Sequence, residues 1–211
     1  MTTTIRPRRR TDLPALADVL LAQQATSRYP FRDPLPIPVD AFLHAEDAQA
    51  AWVAELDGAP VGHVCRTGPL SGFPGAEEMN AACAEAHGCA VAELSWVSTL
   101  FVGQDARGHG LGRRLLDTVV ADIAAHGLHP CLEVLAVHPA ALSLYESSGW
   151  RPVLRQRPGW LTEVAGDEGP DVLVMVLDVA GASSPRTSHP LDGPGAGPDP
   201  QRQPGGEAEE R

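Results

Sequence analysis

The chain has no lysine: all 16 basic residues are arginine, against 27 acidic ones, in a sequence of 211 residues. A nucleotide loop of the Walker type, which sets a lysine against the phosphates, is therefore excluded. Aromatic residues make up only 5% of the chain, and no stretch approaches the roughly 18 to 20 uninterrupted apolar residues of a membrane helix. Met1 to Arg10 carries arginines at positions 6, 8, 9 and 10 and no apolar signal core. These absences predict a cytoplasmic protein with no membrane partner. Cys65, Cys83, Cys89 and Cys131 include no Cys-x-x-Cys pair, so ordinary reduced thiols are expected, and no disulfide scaffold or metal. A net charge of −11 lacks the clustered positive field that nucleic acid requires. It suits a basic substrate, and solubility accounts for it equally well. Absent lysine beside abundant alanine, arginine, glycine and proline matches the coding bias of a high-GC bacterium, so part of the composition reflects genome and not chemistry.

What is present is enough apolar residue, 43%, for one core and one domain. Residues 181–211 stand apart, with six glycines, six prolines and almost no apolar side chain; a disordered tail is expected there and a folded domain over residues 1–180. Thr2 to Pro7 reads as a strand, and Thr11 or Asp12 as the N-cap of a helix through Gln24. Tyr29 to Pro38 holds four prolines and reads as a loop, followed by a short helix from Val39 to Glu46. Ala51 to Leu56 and Val61 to Arg66 form a hairpin across Asp57-Gly58. Pro69 to His87 reads as part loop and part short helix.

The second half has sharper signals. Leu94 to Val102 is a strand running into a glycine-rich turn, and Leu111, Leu115, Leu116, Val119, Val120 and Ile123 then mark the buried stripe of a helix ending near Gly127. Cys131 to Ala136 is the next strand, Pro139 to Ser148 a helix closed by Gly149, and Trp150 to Arg155 and Asp171 to Val179 two final strands. The pattern predicts an α/β domain with a mixed, twisted sheet of about seven strands flanked by about four helices. Arg6, Arg8, Arg9 and Arg10 read as a solvated edge, His126 and His129 as helix-end caps, and Cys83, His87 and Cys89 as too few groups for a metal.

The turn Arg107-Gly108-His109-Gly110-Leu111-Gly112 joins a strand to a helix N-terminus through three glycines. Such a turn suits an anion, because the free N–H groups of the first helical turn and the helix dipole both favour negative charge. A dinucleotide fold would place it after the first strand of the domain, whereas here it follows about a hundred residues.

Arg107-x-x-Gly110-x-Gly112 resembles the acyl-CoA pyrophosphate loop of the GNAT (Gcn5-related N-acetyltransferase) superfamily. Downstream, Leu132-Glu133-Val134 and the run from His138 to Trp150, which includes Ala141, Leu144, Tyr145 and Gly149, resemble the family's Leu-Glu-Val strand and its Asn-x-x-Ala-x-x-Leu-Tyr helix. Ile5-Arg6-Pro7 with Asp12-Leu13-Pro14-Ala15-Leu16 is similar to the family's opening strand and helix. Together these span residues 2 to 179 in the family's order. The pattern is nearest to ribosomal-protein alanine N-acetyltransferases.

The resemblance implies acetyl-CoA as co-substrate and a primary amine acceptor, on a small molecule or a peptide N-terminus. It places the pantetheine arm on the backbone of Leu100, Phe101 and Val102, and the pyrophosphate at Arg107, Gly108, His109, Gly110, Leu111, Gly112 and Arg113. His138 stands where the family has an asparagine that positions CoA. Tyr145 matches the family's general acid, and Glu133 the glutamate that serves as base in the alanine acetyltransferases. Many relatives carry their base on the preceding strand, where this chain has Trp96, with Glu93 three residues earlier as a second candidate. The loops at 29–38 and around Trp160 would shape the acceptor site. The resemblance also leaves room for a homodimer, and for a second function: a sensor or interaction module that binds acyl-CoA without turnover.

Overall fold

The computed structural model describes residues 1–178; the expected tail at 181–211 lies outside them. Seven strands form a single sheet: β1 (Thr3–Pro7), β2 (Ala48–Leu56), β3 (Ala59–Thr67), β4 (Leu94–Val102), β5 (His129–Leu135), β6 (Arg151–Gln156) and β7 (Val172–Val176). Their spatial order is β1-β2-β3-β4-β5-β7-β6. Every neighbouring pair is antiparallel except β4 and β5, which run parallel. A parallel pair needs a crossover connection, and α4 (Leu111–Ala125) supplies it.

The remaining helices are α1 (Leu13–Ser27), α2 (Val39–His44), α3 (Ala76–His87), α5 (Pro139–Ser147) and α6 (Gly159–Ala165). Among the described residues α6 is an addition to the helices read from the sequence, and α3 falls in the stretch read as part loop and part short helix. That helix is longer than expected, twelve residues bounded by left-handed glycines at 75 and 88, its alanine-rich sequence sustaining it despite a weak apolar stripe. The loop around Trp160 is a short helix opening after Pro158.

Alternation along the strands builds a core on each face of the sheet, one cluster on the first and two on the second. One face takes α4, whose Leu111, Leu115, Leu116, Val119 and Ile123 pack with Val64, Val97, Leu132 and Val134. On the opposite face α1 and α2 cover Val53 and Phe101 with Leu13, Leu16, Leu20 and Leu43, while α3 and α6 cover Cys131, Val174 and Val176 with Met79, Cys83 and Leu161. β4 runs under both helix pairs, with Leu94 and Trp96 in the core beneath α3 and Phe101 in the core beneath α1.

Arg6 and Arg8 are not a solvated edge. Arg6 donates two hydrogen bonds to the Asp12 carboxylate, at 2.7 and 2.8 Å, and one to Glu55 at 2.7 Å. Arg8 reaches across to α2, donating to the carbonyls of Leu43 and His44. Asp12 precedes α1 but does not cap it with its side chain; it accepts the Arg9 amide at 2.6 Å and the Arg6 fork instead. The Arg6 hydrogen bonds hold the Asp12 carboxyl below its ordinary value of 3.8, against the opposing effect of burial. A depressed carboxylate adds stability above its unfolded value and loses it as pH falls through the folded one. Asp12→Asn is therefore expected to cost about 2 kcal/mol at pH 7, with the gap from wild type closing as pH falls below the ordinary value of 3.8, read by urea unfolding at a series of pH values.

Candidate active site

The parallel pairing of β4 with β5 runs from Leu94↔His129 to Val97↔Leu132 and then stops. Beyond that point Ser98–Val102 and Glu133–Leu135 diverge, and the β4 edge turned towards β5 carries backbone groups without a strand partner. Leu100, Phe101 and Val102 lie on this edge while Phe101 and Val102 stay paired to β3 on the other side. The opening begins at Glu133, which alone in β5 is exposed. Its side chain meets the water of the cleft, but surrounding protein atoms desolvate the carboxyl enough to raise its pKa.

Tyr145 stands on α5 with a buried side chain and its ring edge-on to Trp150 at 6.1 Å. Burial pushes its phenol upward, so the group keeps its proton at neutral pH. Its hydroxyl makes no hydrogen bond to protein among the described residues. Tyr29, the first residue of the proline-rich loop, was not singled out in the sequence. Burial raises its pKa, and its ring reaches the side chain that opens α5, His138. No motif marks it, and its position at the mouth of a loop expected to shape the acceptor site was the only available signal.

The ring of His138 lies edge-on to Tyr29, with centroids 6.5 Å apart. Burial first, and Arg28 second, lower its pKa, so the imidazole is neutral. Its Nε2 is buried without a hydrogen-bond partner, an arrangement that calls for a ligand or water.

At the glycine turn the backbone supplies the chemistry. Gly108 and Gly110 have φ of 79° and 72°, the left-handed region that side chains resist. The amides of Gly108, His109, Gly110, Leu111, Gly112 and Arg113 have no protein partner among the described residues; the first bonded amide of α4 is Arg114, which donates to the Gly110 carbonyl at 3.1 Å. Six consecutive free N–H groups at the positive end of a fifteen-residue helix form a cradle for an anion.

The arginine side chains do not add to it directly. Arg107, expected among the cofactor contacts, donates its amide to Gln104 and its guanidinium to Gln23 at 2.8 Å and to the Val102 carbonyl, tying the turn to α1. Arg113 donates to the Ser147 hydroxyl at 2.7 Å, and Arg114 is drawn to Thr3 on β1. His109 folds over its own turn, Nδ1 lying 3.1 Å from the Arg107 carbonyl.

Glu93 and Trp96 stand away from this opening. The Glu93 carboxylate accepts the Ala90 amide at 2.7 Å, and at about 3.3 Å per residue the strand carries it roughly 16 Å from Ser98. Trp96 is buried beneath α3, where its indole N–H donates to Asn80 at 3.0 Å. Arg32 lies over the Trp160 ring at 4.8 Å, joining the two segments expected to frame the acceptor.

Residues 16–150 match the acetyltransferase (GNAT) family. The chain belongs to that family and is an acetyltransferase. The fold is shared with yncA of Salmonella typhimurium, solved with its cofactor acetyl-CoA, at a TM-score of 0.64 and 19% identity over 89% of this chain and 99% of that one. It is also shared with the ribosomal-protein-S18-alanine N-acetyltransferase of Escherichia coli (TM-score 0.57, 20% identity, 83% and 93% covered). Arabidopsis thaliana NAA60, in complex with a bisubstrate analogue, is similar at a TM-score of 0.60 and 20% identity, with 83% and 97% covered. No curated protein matches the sequence.

The turn makes a prediction about its own glycines. A methyl group on Gly112 would meet Leu144 at 3.6 Å and Val102 at 3.9 Å, ordinary contact distances. Gly112→Ala is expected to leave stability unchanged or raise it by up to about 1 kcal/mol, whereas Gly110→Ala loses about 1 to 2 kcal/mol to its left-handed φ. Chemical denaturation of the two variants checks the opposite signs.

Proposed function

We propose that this protein transfers the acetyl group of acetyl-CoA to a primary amine, on a small molecule or a peptide N-terminus, by direct attack of the amine on the thioester. The observation that carries this reading is the run of six unpaired amides from Gly108 to Arg113, which fits a diphosphate at a helix N-terminus. The open β4 edge at Leu100, Phe101 and Val102 fits the amide groups of a pantetheine arm by strand-like pairing. His138 adds a buried Nε2 without a partner. Bound there, acetyl-CoA supplies an activated acyl carbon.

The chain's own residues then manage protons. An amine with pKa near 10.4 is protonated at pH 7 in all but roughly one molecule in 10³, so a base must free the attacking lone pair. Glu133 takes the first ammonium proton, directly or through a water, which frees the lone pair; as the nitrogen–carbon bond forms and the carbon–sulfur bond breaks, the nitrogen gives up a second proton, which replaces on Tyr145 the one passed to sulfur. Tyr145 gives its proton to the departing thiolate; the burial that keeps the phenol protonated makes it available for that step. Four free thiols and no disulfide suit a cytoplasmic setting.

Calorimetric titration with CoA, together with thiol release over an amine panel, tests this reading. CoA is expected to bind, and Tyr145→Phe to lower kcat by about 100-fold or more without weakening that binding. Binding without thiol release from any amine, with Tyr145→Phe without effect, would instead establish the sensor reading. The raised Glu133 pKa puts its own requirement on pH. The base form exists only above that pKa, so kcat/KM climbs with pH through a point above the ordinary value of 4.5. Glu133→Gln is expected to lose this limb and about 10² to 10⁴ in rate, read from pH–rate profiles of the two proteins.

A further inference from the structure

The β3–β4 ladder slips at the mouth of the cleft. His63 pairs with Phe101 and Cys65 with Ser98, so Thr99 and Leu100 together oppose Val64. Such a bulge re-aims the strand and often sits beside an active site. Thr99 takes a φ of +48°, where a β-branched residue is a genuine outlier under strain. Some neighbouring group must hold it there.

His63 is that neighbour. Its side chain is fully buried, and its Nδ1 lies 3.1 Å from the Thr99 carbonyl and 3.1 Å from the Thr99 hydroxyl, which also meets the Cys65 thiol at 3.1 Å. The other ring nitrogen, Nε2, lies 3.1 Å from Arg8 Nη1. A guanidinium only donates, so Nε2 accepts, and the ring proton sits on Nδ1 and is donated to Thr99. Arg8 is held in turn by the Leu43 and His44 carbonyls at the end of α2, and no carboxylate pairs with it among the described residues. The histidine is thereby fixed in one neutral tautomer; its pKa falls to about 4, first through burial and further through Arg8, with the Thr99 hydrogen bond opposing.

We propose that the Arg8–His63 pair is a positioning device that locks the Thr99–Leu100 peptide. Because that peptide is planar and trans, holding its carbonyl towards His63 aims the Leu100 N–H the opposite way. It is kept there as a preorganised donor for the thioester oxygen, on which charge develops during attack. The role in turnover rests on the acetyl-transfer reading above; the locking of the peptide does not.

Three variants test it. His63→Leu fills the space without a donor, His63→Asn keeps an amide nitrogen near the place of Nδ1, and Arg8→Met frees Nε2 while leaving the core intact if His63→Leu fails to fold. Hydrogen–deuterium exchange of the peptide spanning residues 97–103 is expected to quicken by about tenfold or more in His63→Leu and Arg8→Met, with β2 unchanged. In thiol release, kcat should fall by about 10- to 100-fold while the CoA dissociation constant stays within about threefold, and His63→Asn should recover most of both losses. Exchange at wild-type rates in folded variants would overturn the proposal. So would a loss of CoA affinity matching the loss of kcat, or a failure of Asn to rescue. If the wild type itself releases no thiol, the acetyl-transfer reading fails, and the exchange measurement still decides whether the pair locks the bulge.

Discussion

Two parallel strands that begin as partners and then part are the constraint on which this molecule is organised. Val97 and Leu132 are the last pair, and both side chains are buried beneath α4. One layer of the sheet is thus continuous through a core that does not open, while the strand ends beyond it are free to diverge. The divergence exposes backbone on β4 and a carboxylate on β5. A sheet wholly paired along its length would have neither, because backbone N–H and C=O groups satisfied by a neighbouring strand are unavailable to a ligand.

The second requirement is local positive charge on a protein of net charge −11. The nearby arginines, at 107, 113 and 114, are all turned to protein partners, so the attraction for an anion falls to the peptide dipoles of α4 and the free amides at its head. Oriented dipoles have an advantage over mobile cations here. They are already fixed by the two left-handed glycines and by the tether from Arg107 to Gln23, so little conformational entropy is lost when a ligand binds. The arginines serve the site by holding the turn still.

Much of this was legible in the sequence because it rests on short-range rules. The bounds of β4, the apolar stripe of α4 and the hairpin at Asp57-Gly58 follow from local period and turn chemistry, and the glycines of the turn follow from φ alone. The family motif also drew attention to Glu133, Tyr145 and His138. What was hidden depends on groups far apart in the chain. Arg6 and Arg8 look like surface charges until Asp12, Glu55, Leu43 and His63 are brought beside them by strand pairing. Tyr29 carries no motif, and its edge-on approach to His138 arises only when the loop after α1 folds back towards α5. The strain at Thr99 is equally silent, since nothing in Ser98-Thr99-Leu100 distinguishes a bulge from a regular strand. The bounds of α3 within 69–87 were obscured for a different reason: its residues are good helix formers, but its apolar side chains mark no strong face.

Trp96 shows why the proposed base falls on β5. Strand alternation gives Leu94 and Trp96 to the core below α3, and the indole is held there by Asn80. A glutamate at that position would have to bury its charge or displace α3, at a cost of several kcal/mol for an unpaired buried carboxylate. Across the opening, Glu133 occupies a strand position whose neighbours Leu132 and Val134 are buried on the other face, so its side chain must emerge on the cleft side. Filling one strand position with a large aromatic anchor removes it from chemistry, and the parting of the strands makes the next available carboxylate the one on the facing edge. On this view packing beneath α3 and the placement of the base are one choice, made by the same alternation of side chains.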